Sequence, residues 1–135
     1  MSELIIPDDL LQAMRDHCVA CFPNEACGIL AGIENRVSRV YFVTNTEPSP
    51  VSYLMDPQEQ VRLLREMRER RERMIAIFHS HPQSPAYPSA RDVSLAFYDD
   101  VIYVIVGLME RKASEIRAFT IVEGIVTEVD VKADR

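Results

Sequence analysis

His79 and His81 stand two residues apart in FHSHP, at the end of the apolar run MIAIF. Side chains on a strand alternate faces, so both imidazoles point one way and Ser80 the other. Their Cβ atoms then lie roughly 6–7 Å apart, close enough for two ring nitrogens to share one ion at about 2.0–2.1 Å each. Pro82 has no N–H to donate and ends the strand. After seven intervening residues comes Ser89, and three beyond it Asp92. Ser89-x-x-Asp92 reads as a capping box at a helix start. It reads also as a carboxylate ligand held rigid by that cap. Two imidazoles and one carboxylate leave a fourth coordination position for water, the arrangement of a catalytic rather than a structural zinc site.

A water at such a site needs a base that is not itself a ligand. The chain has 21 acidic residues, and spacing alone does not choose among them. Glu25 lies between a helix end and an apolar strand, where it could face the cleft or stand as an exposed loop acid. The other reactive side chains read as structural. Cys18 and Cys21 fall on the apolar stripe of the first helix, where cysteine packs as a small hydrophobe. Cys27 is expected to be buried at a strand start, His17 to lie on the helix surface. The four glycines do not form a phosphate-binding loop.

The elements that must position these groups follow from periodicity and turn signals. Pro7-Asp8-Asp9 opens a helix, with Leu10, Met14, Cys18 and Cys21 on one face and Pro23-Asn24 as its stop. Residues 28–33 and 37–44 are rich in β-branched and apolar side chains and read as strands joined at Glu34-Asn35. After the turn-prone NTEPSPVS, YLMD is expected as a short strand. Asp56 caps a second helix with Pro57 in its first turn, running to about Arg73, with Val61, Leu64 and Met67 inward. Its REMRERRER stretch is a solvated face of mixed charge. Residues 74–78 and 101–108 are buried strands, a short helix runs from Ser89 to about Tyr98, and 114–131 form a hairpin turning at Glu123-Gly124. Interleaved strands and helices imply an α/β fold, a central mixed sheet flanked by helices.

The 135 residues suit one domain, 1–135, with a single core. Hydrophobic residues make up 47%, which excludes a disordered chain, and a net charge of −6 argues against a nucleic-acid partner. No apolar run approaches the roughly 20 residues that cross a bilayer, so no membrane partner is expected. No basic leader is visible, and three cysteines are too few for a disulfide scaffold. Together these point to a reducing, cytoplasmic setting.

The spacing of His79, His81, Ser89 and Asp92, preceded upstream by Glu25 in PNEACGIL, resembles the JAMM (MPN-plus) metallopeptidase family. MDP before the second helix and HSHP after the buried strand resemble its compact bacterial members. The likeness spans roughly residues 5–130, and no element of the motif is missing. The resemblance implies a cytidine-deaminase-like α/β/α architecture and one catalytic zinc ion on His79, His81 and Asp92. It also implies Glu25 as the general acid/base that activates water and protonates the leaving amine, and Ser89 as donor to the oxyanion.

The substrate implied is a peptide or isopeptide bond after the C-terminal tail of a ubiquitin-like protein, such as a sulfur carrier ending in Gly-Gly. The chain is short for the deubiquitinases that grip ubiquitin chains. A cell-wall or phage-tail peptidase of the same domain family is the alternative, and a non-catalytic MPN-like binding module the outside case. A DNA-repair relative of this family would bring an extra DNA-binding region, which this chain lacks. A zinc deaminase would need H-x-E and P-C-x-x-C, whereas this chain has H-S-H. Nothing in the sequence fixes the oligomeric state.

Overall fold

The apolar runs become strands of one sheet, and the computed structural model describes residues 3–109, 113 and 115–134. In chain order the elements are β1 (Glu3–Pro7), α1 (Asp8–Cys21), β2 (Cys27–Ile33), β3 (Arg36–Val43), α2 (Pro57–Glu69) and β4 (Arg73–His81). They continue with α3 (Ala90–Ser94), β5 (Ile102–Gly107), β6 (Glu115–Val122) and β7 (Ile125–Asp134). The strand order is β1-β3-β2-β4-β5-β6-β7, closing back on β1. β1 runs parallel to both β3 and β7, and β4 parallel to β5, so the sheet is mixed as expected.

Alternation along the strands divides the interior between two faces. On one, Leu11, Met14 and Cys18 of α1 pack with Leu4, Leu30, Ile75, Phe78, Val104 and Val106. On the other, Leu63 and Met67 of α2 pack with Cys27, Ile29, Ile77, Tyr103 and Ile121. A helix on each face gives the α/β/α layering. Gly28 makes room for the Phe78 ring of the neighbouring strand: a Cβ there would sit 2.2 Å from that ring and 2.4 Å from the Tyr41 carbonyl oxygen. Among the described residues, no helix is long and apolar enough to cross a membrane.

Several expectations change in detail. β1 was not foreseen: its five residues, with Leu4 and Ile6 alternating inward, precede the helix start at Asp8. YLMD forms no strand, only an isolated antiparallel bridge between Met55 and Asn45, because Asp56 turns the chain at once into α2. Within α2 the buried residues are Leu63 and Met67, while Val61 and Leu64 face solvent. The buried stripe centres on 63 and 67, about 40° apart, which leaves 64 at its edge and 61 well round the helix. α2 stops at Glu69 because Arg71 takes a left-handed conformation (φ 58°), with Glu72 N–H donating to the Met67 carbonyl. α3 ends at Ser94, short of Tyr98. The final hairpin turns at Glu123-Gly124 as read; Ser114, its expected first residue, lies outside the described residues.

Candidate metal centre

β4 carries the decisive pair. Phe78 faces the α1 core, and the alternation sends His79 and His81 to the opposite face, where both are buried. Asp92 arrives from α3, whose start is a full capping box. Ser89 Oγ accepts from Asp92 N–H at 3.1 Å, and an Asp92 oxygen, Oδ2, accepts from Ser89 N–H at 2.9 Å. The two readings of Ser89-x-x-Asp92 therefore hold together: the box builds the helix start and aims the carboxylate at the histidines.

The donor atoms converge. His79 Nε2 lies 3.1 Å from His81 Nε2 and 3.3 Å from Asp92 Oδ1, and His81 Nε2 lies 3.0 Å from Asp92 Oδ2. Ligands at about 2.0–2.1 Å from one tetrahedral ion stand about 3.3 Å apart, so the two imidazole nitrogens are near that spacing and the carboxylate is within reach of both. One proton per nitrogen cannot satisfy all three contacts, since two N–H groups turned to the carboxylate leave the nitrogen–nitrogen contact repulsive. A shared cation satisfies them together. Among the described residues this is the one group of three or more such side chains able to hold a metal ion.

In the metal-free protein the same contacts shift all three groups. Burial pushes the Asp92 carboxyl up, but hydrogen bonds from both histidines outweigh it and hold Asp92 well below the usual range. Burial lowers His79. It also opposes protonation of His81, but Asp92 and the Pro85 carbonyl prevail and raise it. His81 Nδ1 sits 2.8 Å from that carbonyl, which directs Nε2 inward.

Glu25 is buried, only 5% exposed, so the exposed-acid alternative fails. Its backbone is pinned from three sides. Glu25 N–H donates to Ser49 O at 2.8 Å, Asn45 Nδ2 donates to Glu25 O at 3.1 Å, and the next residue's N–H, of Ala26, donates to Ser80 Oγ at 2.8 Å. Its Oε1 has no hydrogen-bond partner among the described residues. Burial, reinforced by the Asp92 charge, pushes its carboxyl up to about 8, against the opposing pull of His81 and Arg91. Glu25 thus feels the charges of His81 and Asp92, while lining a separate cavity with His17, Asn24 and Asn45.

Sequence reading missed Ser80, Asn45 and Tyr53. Ser80 was seen only as pointing away from the histidines; a small polar residue inside a buried strand was the available signal. Tyr53 stacks on His79 with ring centroids 4.8 Å apart. The cysteines stay structural: Cys18 and Cys27 are buried and pushed up to about 12, with burial the leading cause. His17 is half-buried rather than on the surface, stacked on Phe42 at 4.2 Å.

Residues 7–122 match the family described as prokaryotic homologs of the JAB domain. The chain belongs to the JAB (JAMM) metallopeptidase family. It is 42% identical over 130 residues to the CysO-cysteine peptidase of Mycobacterium tuberculosis, covering 95% of this chain and 89% of that one. It is 40% identical over 105 residues to the desampylase of Pyrococcus furiosus, covering 78% and 74%. The solution structure of a Desulfitobacterium hafniense protein superposes with a TM-score of 0.88 at 33% identity, covering 98% of this chain and 93% of that one. A JAB fold thus presents this chain's His79, His81 and Asp92 as a group that could bind a metal.

Proposed function

We propose that this JAB protein is a zinc-dependent peptidase that cleaves the bond following the C-terminal tail of a ubiquitin-like, sulfur-carrier type protein. The observation that carries the reading is the convergence of His79, His81 and Asp92 within 3.0–3.3 Å of one another, in a chain that also buries Glu25. The names of the relatives support the substrate class, since one acts on a CysO–cysteine conjugate and another is a desampylase.

Zinc on those three donors would supply Lewis acidity, polarising the scissile carbonyl and making a water more acidic. The rest is done by this chain. Glu25 takes the proton of the attacking water and passes it to the leaving nitrogen as the C–N bond breaks. A carboxyl held near 8 suits both directions of that transfer close to neutral pH. Ser89 Oγ accepts from the helix backbone, which leaves its own proton to donate to the carbonyl oxygen as that oxygen gains charge. A glycine-rich tail is thin enough to approach the buried donors, and a Gly-Gly end fits that requirement. Three free cysteines suit a reducing cytoplasm.

The test is a cleavage assay on a sulfur-carrier protein bearing a C-terminal extension, with muropeptides as the competing substrate. Release of the extension by the zinc-loaded parent is expected, with Ser89→Ala slowed about 10–1,000-fold. Cleavage of muropeptides with the carrier fusion untouched would move the protein to the cell-wall peptidases.

A further inference from the structure

The two histidines of the metal centre are oriented in different ways. His81 places Nδ1 on the Pro85 carbonyl, the outer hydrogen bond by which a ligating imidazole is ordinarily fixed. His79 Nδ1 is buried and has no hydrogen-bond partner among the described residues. Rotation about the ring bond of histidine is soft and roughly two-fold, so packing must fix what no hydrogen bond does. The Tyr53 ring lies against His79 at 4.8 Å between centroids and 28° between planes.

Tyr53 is itself held. The next residue's N–H, of Leu54, donates to Asn45 Oδ1 at 3.0 Å, and the Leu54 carbonyl accepts from Thr46 N–H at 2.9 Å. Met55 then forms the bridge to Asn45. The same Asn45 donates to the Glu25 carbonyl, so one side chain sets both the loop bearing Tyr53 and the acid.

We propose that Tyr53 is a positioning residue for the metal, its stacked ring taking for His79 the part that the Pro85 carbonyl takes for His81. This rests on the metal reading of His79, His81 and Asp92. The aromatic face does the holding and the phenol oxygen is dispensable. Leu54, which lines the same apolar cavity as Tyr53 and His79, serves as a control that does not stack on the ring.

The test measures zinc dissociation constants by chelator competition, with cobalt(II) absorption spectra as a readout independent of turnover. Tyr53→Phe and Leu54→Ala are expected to match the parent within about two-fold and to keep its spectrum. Tyr53→Leu is expected to weaken zinc about 10–100-fold and to alter the cobalt bands, while unfolding cooperatively without metal. If Tyr53→Leu does not fold, Tyr53→Met supplies bulk without a ring. Parental affinity and spectrum in the ringless variant overturn the proposal, as does a Tyr53→Phe variant as weak as Tyr53→Leu. A parent that takes up no zinc defeats the metal reading itself, and the role of Tyr53 with it.

Discussion

Glu25 is costly to the metal-free protein. Its Oε1 has no hydrogen-bond partner among the described residues, and its carboxyl is pushed up to about 8, chiefly by burial. A group whose folded pKa is raised is harmless below its unfolded value and destabilises progressively as pH rises toward the folded one. Glu25→Gln should therefore gain stability over the parent as pH goes from about 4.5 to 8, in the metal-free state. Thermal unfolding across that range, with chelator present, checks the trend; a pH-independent difference contradicts it. The same variant should lose about 100–10,000-fold in turnover. Ground-state strain at one residue is then the counterpart of its chemistry.

The site residues differed in how plainly the sequence declared them. His79 and His81 were legible because two-residue spacing on a buried strand fixes their common face without reference to the rest of the chain. Asp92 and Ser89 were legible as a pair because the capping box is local. Glu25 was not, because its place is set by Asn45 and Ser49, which bond its own backbone, and by Ser80, which bonds the next residue, Ala26, from 54 positions away. Tyr53 gave no local signal at all.

Among the elements, β4 does two jobs. One face presents the imidazoles, and the other presents Ser80, whose Oγ and N–H both bond to the backbone of Ala26. Ser80 thereby fixes the backbone next to Glu25. Ser80→Ala leaves the Ala26 N–H buried without that acceptor, and should cost about 1–3 kcal/mol. Zinc affinity should stay parental, because the histidines project from the opposite face, while kcat falls at least about ten-fold. A destabilised variant with parental kcat would show that the clip is merely structural. The α2 phase teaches the converse lesson. Adjacent Leu63 and Leu64 allow two readings of the helix face, and only packing against β4 and β2 chose Leu63 and Met67.

For the whole molecule, the mixed α/β class followed from interleaved strand and helix patterns, whereas closure of the strand order through β1 did not. A five-residue strand pairing with both β3 and β7 is defined by its partners rather than its own pattern. The candidate metal donors join β4 to α3, so an ion held there would tie the two elements together. Bound zinc at about 1,000 times its dissociation constant adds about 4 kcal/mol, so chelation should lower the melting temperature by roughly 10–20 °C. An unchanged melting temperature would mean that no ion links these elements.

Zinc content of the purified chain and its variants bears on the metal centre most directly. The parent and Glu25→Gln should each carry close to one zinc per chain, and His79→Ala and Asp92→Ala almost none. A parent without zinc, or donor variants that keep it, would show that His79, His81 and Asp92 are not the metal ligands.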